Sequence, residues 1–389
     1  MNDTVDISNS NILVVDDTPA NLRLLMEILR DVGYKVRPAN NGPRAFSTIE
    51  KEPPSLILLD IMMPDMDGYQ VCEHLKAHEK TRDIPVIFIS ALTETFDKVK
   101  AFSVGGVDYI TKPFQTEEVL ARVETHLKLH ELQRQLQAEN LRMKAELDVS
   151  RRLQQMLLPT EKELQQIDCL DIACFMEPAV EVCGDYYDVL SQDGWVFIGI
   201  GDVTGHGLES GALAIMVQSS IRTLLASYHE LDSVKFLSAL NQMVYHNVIR
   251  MNVGKSLTLA LLSYQNGQLV LTGQHEELII VRATGDIEHI DTMDLGFPIG
   301  LDFEMAKFVN QSTVSLNPSD VVVLYTDGIT EAENIDGLLY GQERLCEMTQ
   351  KNYKKNAHEI QQAVIADVRQ FIGEQKVFDD MTLLVLKQK

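Results

Sequence analysis

The sequence predicts two folded units of different class: an α/β unit built on a doubly wound parallel sheet, and an α+β unit rich in strands, joined by one long helix. Three observations carry this. Short apolar runs alternate with amphipathic helical patterns in the N-terminal part, no Gly or Pro interrupts residues 116–158, and strand patterns dominate beyond Pro159. At 389 residues the chain also exceeds what one hydrophobic core usually supports.

The apolar runs at residues 12–15, 35–39, 56–59, 86–89 and 107–110 read as strands, separated by helical patterns near 21–31, 44–50, 68–79 and 96–104. Strands alternating with helices imply a parallel sheet covered on both faces, with ligands at the carboxyl ends of the strands. From Thr116 the composition turns to Leu, Gln, Glu, Arg and Lys, giving one helix of about 40 residues, roughly 60 Å long. Leu129, Leu132, Leu136, Met143 and Leu157 keep a 3–4 spacing, while Glu139, Glu146 and Ser150 occupy other seam positions. Shifting register after Leu136 captures Asn140, Met143 and Leu147. That pattern reads as a weak coiled coil with a register break, or as a single helix packed on its own domain. Pro159 ends it. Further on, residues 172–175, 186–189, 195–200, 257–264, 268–272, 278–282, 321–325 and 381–386 read as strands. Helices are expected over 210–228, 233–249, 343–352 and 357–372, and Asn266-Gly267 marks a hairpin.

Composition narrows the function. The apolar fraction of 45% and charged fraction of 23% are those of an ordinary globular protein. A net charge of −23 without a Lys/Arg cluster argues against nucleic acid and anionic membranes as ligands. No apolar run approaches membrane-spanning length, and Met1–Asp6 lacks the pattern of a signal peptide. Cys72, Cys169, Cys174, Cys183 and Cys346 form no C-x-x-C pair, so neither a disulfide framework nor a zinc site is expected, and the compartment is expected to be the reducing cytoplasm.

In the first unit Asp16 and Asp17 follow the first strand, Asp60 closes the third, Ser90 closes the fourth and Lys112 follows the fifth. A parallel sheet gathers these positions on one edge. Three clustered carboxylates repel one another unless a hard divalent cation neutralises them, and Mg²⁺ accepts such an oxygen-rich site. Asp60 can then act as a nucleophile toward a phosphoryl group, with Lys112 and the Ser90 hydroxyl on the phosphate. VVDD (14–17), LLDIMMPDMDG (58–68), ISA (89–91) and DYITKPF (108–114) resemble the response regulator receiver family over residues 9–126. The resemblance implies a flavodoxin-like, five-stranded receiver phosphorylated on Asp60 by a cognate histidine kinase. It also implies one Mg²⁺ held by Asp16, Asp17, Asp60 and the Met62 carbonyl, a switch pair of Ser90 and Tyr109, and a cis-proline turn at Lys112-Pro113.

The second unit carries four acidic motifs: Gly184-Asp185-Tyr186-Tyr187-Asp188, Gly201-Asp202-Val203-Thr204-Gly205-His206-Gly207, Thr326-Asp327-Gly328 and Phe378-Asp379-Asp380-Met381-Thr382. Each lies at an end of a predicted strand, so the acids can gather on one rim of a sheet sandwich. Two metals about 3.5–4 Å apart there would activate water and clamp phosphate oxygens. Together with SRRLQQMLLP (150–159), LGFPIGL (295–301) and DDMTLLVLK (379–387), these motifs resemble the metal-dependent protein phosphatases (PPM, type 2C), in particular the bacterial SpoIIE/RsbU-like branch, over about residues 145–389. The resemblance implies a PPM-type β-sandwich flanked by helices, placed here at 159–389 behind a connecting helix at 116–158. It implies two Mn²⁺ or Mg²⁺ shared by Asp185 and Asp202, with the Val203 carbonyl, Asp327 and Asp379 completing the set. His206 is then a general acid or a loop-stabilising residue, and Asp188 and Asp380 are supporting groups. Cys183 stands where the branch usually has Gly, and no Arg stands beside the acids in sequence to hold substrate phosphate.

Two nucleotide-binding signals fail. Gly254-Lys255-Ser256 lacks the upstream Gly of a phosphate-binding loop, since Ile249 holds that position, and Asp202 directly after Gly199-x-Gly201 would repel a pyrophosphate. The expected function is a two-component response regulator with serine/threonine phosphatase output. By resemblance its substrate is an anti-sigma-factor antagonist (STAS-domain) phosphoprotein, and Asp60 acts through the long helix within a homodimer. The alternative is a phosphatase-fold binding module that sequesters a phosphoprotein without turnover.

Overall fold

The computed structural model describes residues 10–90, 95–179, 182–205, 207–227 and 232–389, with 95–98 described by backbone alone. The chain divides into two compact units at Arg142 and Met143.

In the first unit strands β1 (Asn11–Val15), β2 (Lys35–Ala39), β3 (Leu56–Asp60), β4 (Val86–Ser90) and β5 (Asp108–Thr111) alternate with helices α1 (Pro19–Asp31), α2 (Gly42–Lys51), α3 (Gly68–Ala77) and α4 (Thr95–Ser103). The sheet is parallel in the order β2-β1-β3-β4-β5. Central β3 and β4 are buried along their whole length, as a strand covered on both faces must be. Pro38, which cannot donate to a ladder, falls in edge strand β2. One face is covered by Ala45 and Ile49 of α2 with Val71, Cys72 and Leu75 of α3. The other is covered by Leu25, Ile28 and Leu29 of α1 and by Val119, Val123 and Leu127 at the start of helix α5 (Thr116–Leu157). Past that buried start, Leu129, Leu132, Leu136, Leu141, Met143, Val149, Leu153 and Met156 of α5 are exposed.

In the second unit a short helix α6 (Glu161–Gln165) precedes β6 (Leu170–Glu177), β7 (Tyr186–Gln192) and β8 (Trp195–Val203). Helices α7 (Leu208–Ser227) and α8 (Ser233–Met251) follow, then β9 (Leu257–Gln265), β10 (Gln268–Thr272), β11 (Leu278–Val281), β12 (Ile287–Ile290), β13 (Gln311–Ser315) and β14 (Val321–Tyr325). The unit ends with α9 (Asp327–Thr330), α10 (Gln342–Asn352), α11 (Ala357–Ile372) and β15 (Met381–Gln388). Two antiparallel sheets result, β13-β10-β9-β8-β7 and β12-β11-β14-β15-β6. Their facing sides share one core that includes Ile198, Ile200, Leu262 and Tyr264 from the first and Ile280, Val322, Leu384 and Leu386 from the second. Helices α7 and α8 cover the outside of one sheet, and α10 and α11 the outside of the other. Asn266 and Gly267 both have positive φ, and Gln265 pairs with Gln268, so the expected hairpin forms as a two-residue turn.

Strands β12 (IEHI) and β13 (QSTVS) were not expected, because both are edge strands with polar, half-exposed sequences. The very short α6 and α9 also carry too little periodicity to be read.

Trp195 is the sole tryptophan and lies in β8, so its fluorescence reports the second unit. Leu384→Ala, at the fully buried centre of the sandwich, is expected to remove about 2–5 kcal/mol from the unfolding transition that Trp195 reports in urea. An unchanged midpoint would place that core elsewhere.

Candidate metal centres

At the carboxyl edge of the parallel sheet, Asp16, Asp17 and Asp60 bring carboxylate oxygens within 4.8 Å of one another. Asp16 and Asp60 are buried, whereas Asp17 is exposed. Lys112 Nζ donates to Asp60 Oδ2 at 2.9 Å and to Asp16 Oδ2 at 3.0 Å. The amide of Asn21, a residue sequence reasoning missed, holds both oxygens of Asp16 at 3.1 and 3.0 Å. Burial raises the Asp60 pKa and the Asp16 charge adds to it, while the bonds from Lys112 and the Met62 N–H work the other way. Burial pulls Lys112 down, but its bonds to Asp60 and Asp16 reverse this and leave it raised. Buried Ser90 closes β4 opposite Thr111, and the Lys112–Pro113 bond is cis. Tyr109 meets Phe102 edge-on at 6.2 Å, with the Arg122 guanidinium 5.5 Å from its ring centre.

The second acidic group is assembled by register. Tyr186 of β7 pairs with Gly201 of β8, so one step further Asp185 faces Asp202, and the two share a hydrogen bond. In the other sheet Tyr325 of β14 pairs with Leu383 of β15, and the Thr326 N–H reaches the Thr382 carbonyl at 3.1 Å. Asp327 and Asp379 stand just beyond that ladder. Both pairs lie at the same end of the sandwich, where Asp327 and Asp379 act electrostatically on Asp202. Burial, then these two charges, pushes the Asp202 pKa up to about 7. Asp185 is raised well above the usual carboxylate range, first by burial and then by the Asp202 and Asp380 charges, against the bonds from Thr382 and Thr326. Asp327 is raised by burial, then by Asp379 and Glu331. The approach is close enough to demand glycine: a Cβ on Gly328 would lie 2.0 Å from the Asp380 carbonyl oxygen.

The supporting groups were only partly visible in the sequence. Thr326 and Thr382 donate hydroxyls to Asp185 Oδ2 at 2.8 and 2.5 Å, and neither was singled out although both lie inside recognised motifs. Buried Asp380 accepts from Ala179 N at 2.7 Å and Gly184 N at 2.5 Å, which sets the approach to Asp185. Asp188 is bound bidentately by Arg222 of α7 at 2.7 and 2.9 Å, so an arginine does reach this motif, but as a structural partner. Gln154 of α5 clasps the backbone of Cys183, donating to its carbonyl at 2.6 Å and accepting from its N–H at 3.2 Å. The Cys183 thiol is buried, and burial followed by the Asp185 and Asp380 charges pushes its pKa up, so it behaves as an inert packing group. Val203 closes β8 with its N–H toward the Gly184 carbonyl at 3.4 Å. His206 lies outside the described residues. Asp185 is buried, Asp202 and Asp327 are half-buried and Asp379 is exposed, and an all-oxygen set of this kind fits Mg²⁺ or Mn²⁺, which would neutralise it.

A family model for the response regulator receiver domain matches residues 12–124, and one for stage II sporulation protein E (SpoIIE) matches residues 192–389. The DNA-binding dual master transcriptional regulator RpaA of Synechocystis sp. is 43% identical over 117 residues, 30% of this chain and 48% of RpaA. The response regulator PleD of Caulobacter vibrioides is 44% identical over 115 residues, 30% of this chain and 25% of PleD. The chain thus spans about half the length of the first relative and a quarter of the second. Among solved structures, the SiaA-PP2C domain of Pseudomonas aeruginosa aligns with a TM-score of 0.57 at 20% identity, covering 65% of this chain and 99% of that one, a likeness of fold. Among the described residues, no helix is long and apolar enough to cross a membrane.

A carboxyl whose pKa is raised on folding stabilises the fold in its protonated form. For Asp202 that contribution is complete below the ordinary value of 3.8 and is lost as pH rises through about 7. The metal-free chain is therefore expected to melt at lower temperature at about pH 8 than at about pH 5, as followed by Trp195 fluorescence, with Mn²⁺ raising the melting point more at the higher pH. Asp202→Asn should flatten both trends. Equal slopes in wild type and variant would show that Asp202 is not the group involved.

Proposed function

Because the chain belongs to the SpoIIE family and carries a response regulator receiver domain, we propose that it is a receiver-controlled, metal-dependent serine/threonine phosphoprotein phosphatase. The observation that carries this reading is the gathering of Asp185, Asp202, Asp327 and Asp379 at one end of the sandwich, where burial and mutual repulsion raise the pKa of Asp185, Asp202 and Asp327. Those carboxylates and the Val203 carbonyl would hold two Mn²⁺ or Mg²⁺, which when bound supply Lewis-acid activation of water and of the phosphoryl group. The chain's own contribution is to hold the oxygens still. Thr326 and Thr382 orient Asp185, Asp380 fixes Gly184, and Gln154 fixes Cys183. His206 keeps two proposed roles, proton donor to the leaving hydroxyl or support of its loop. His206→Gln separates them, since only the first changes the shape of the kcat–pH profile.

In the receiver, Asp60 is the proposed phosphoacceptor for a cognate histidine kinase, with one Mg²⁺ held by Asp16, Asp17, Asp60 and the Met62 carbonyl. Ser90 and Tyr109 report the phosphoryl group, and Lys112 pairs with it. The signal is proposed to travel through α5, whose exposed Leu129, Leu132, Leu136, Leu141, Met143, Val149, Leu153 and Met156 suit a second copy of the helix in a homodimer. The Gln154 clasp supports this route, because a shift or rotation of α5 there pulls on the residue two before Asp185. The substrate proposed from the resemblance is a STAS-domain anti-sigma-factor antagonist carrying phosphoserine or phosphothreonine, met in the cytoplasm.

Mn²⁺-dependent hydrolysis of p-nitrophenyl phosphate by the full chain tests the chemistry. Asp202→Ala is expected to lower kcat by about 100-fold or more, and activity surviving that change would refute the metal centre. Absent turnover in the wild type would favour a binding module instead. Beryllofluoride tests control: it is expected to change both rate and oligomeric state in the wild type and neither in Asp60→Asn. Equal values with and without it in the wild type would remove the receiver from the account.

A further inference from the structure

We propose that Lys255 is a positioning residue for the phosphatase reaction, fastening the loop that follows Asp202 and Val203 against the segment that carries Asp185. The inference rests on the assignment of Asp185 and Asp202 to metal binding. Gly254-Lys255-Ser256 fails as a nucleotide motif, and the fold gives the triplet a different use. Lys255 Nζ donates to the Thr204 carbonyl at 2.9 Å and to Ser210 Oγ at 2.8 Å. Ser210, fully buried in the first turn of α7, donates onward to the Gly205 carbonyl at 2.6 Å. Beside this chain of bonds, the Thr204 N–H reaches the Ser256 carbonyl at 2.9 Å, and the Ser256 N–H reaches Thr204 Oγ1 at 3.0 Å. One ammonium thus ties two consecutive carbonyls of the loop, one directly and one through Ser210.

The tied loop bears on the other metal-binding segment. A Cβ on Gly184 would lie 3.1 Å from the carbonyl oxygens of both Val203 and Gly205, and 3.3 Å from Ser210 Cβ. Gly184 is therefore pressed against the stretch that Lys255 holds, immediately before Asp185. Carbonyl oxygens and carboxylates crowd this corner, and their repulsion opposes the arrangement. A protonated amine counters that repulsion, because it offsets negative charge and its bonds are about twice as strong as neutral ones. Methionine at 255 keeps the length of the stem and removes the ammonium, whereas arginine keeps the charge and the donors.

The proposal is tested by local hydrogen–deuterium exchange on the full chain, wild type, Lys255→Met and Lys255→Arg, without metal and through a Mn²⁺ titration, together with p-nitrophenyl phosphate kinetics. In Lys255→Met the Thr204 and Gly205 amides are expected to exchange about tenfold faster without metal, and half-protection of 202–205 to need about tenfold more Mn²⁺. kcat falls while KM stays within about twofold, Lys255→Arg recovers most of the loss, and unchanged exchange in β9 and β14 shows that the fold is intact. Unchanged exchange and an unchanged Mn²⁺ midpoint in Lys255→Met would overturn the proposal. So would a rise in KM with unchanged exchange, which would make Lys255 a substrate ligand. If Mn²⁺ protects neither 183–185 nor 202–205 in the wild type, the metal assignment fails, and the metal-free comparison alone decides on the fastening.

Discussion

Like charges held together inside a protein repel one another and resist burial, and the second unit is organised around that constraint. Each sheet contributes one pair of acids through the register of one antiparallel strand pair, and the shared core holds the two sheets rigid against the resulting repulsion. The donors on Asp185 and Asp380 themselves are neutral: two threonine hydroxyls on the first, and backbone N–H groups on the second. Such donors orient a carboxylate without cancelling its charge, so Asp185, Asp202 and Asp327 keep raised pKa values. What remains is an oxygen-rich set whose charge a divalent cation would neutralise.

The receiver meets the same constraint in another way. There Lys112 is built into the cluster and touches both Asp16 and Asp60. Its ammonium partly offsets the burial of Asp60, leaving a carboxylate that can react and a cation placed to pair with a phosphoryl group. Asp185 is thus met by neutral hydroxyls, whereas the Asp16–Asp60 pair has part of its counter-charge carried by the chain itself. Helix α5 runs unbroken from the residues that pack on the receiver sheet to Gln154, whose amide holds the backbone of Cys183. A side chain at Cys183 narrows the backbone beside the acids, and that backbone is the point that the helix grips.

Much of this was legible in the residues, and the failures have physical causes. The receiver sheet follows from alternating apolar runs, since strands buried on both faces leave an unbroken signal. The four aspartates stand out through the order and contexts of their motifs taken together, since Asp-Gly alone usually marks a turn and Asp379 has no glycine beside it. Edge strands β12 and β13 escaped because an edge needs little apolar sequence. Thr326 and Thr382 escaped because a hydroxyl shows its role only through its partner. Arg222 comes from a helix distant in sequence from Asp188, and Gln154 from one distant from the Cys183 backbone it holds, and no spacing rule reaches that far. Lys255 is visible in the sequence only as part of a failed nucleotide motif, which hides its contacts with the loop after Asp202.

The sandwich is proposed to hold its acids for a pair of divalent ions. Anomalous diffraction at the manganese edge, from crystals of the full chain grown with Mn²⁺, tests it most directly. Two adjacent peaks among Asp185, Asp202, Asp327 and Asp379, lost together in Asp202→Ala, are the predicted result. Full occupancy at Asp16, Asp17 and Asp60 with no peak among the other four would contradict it.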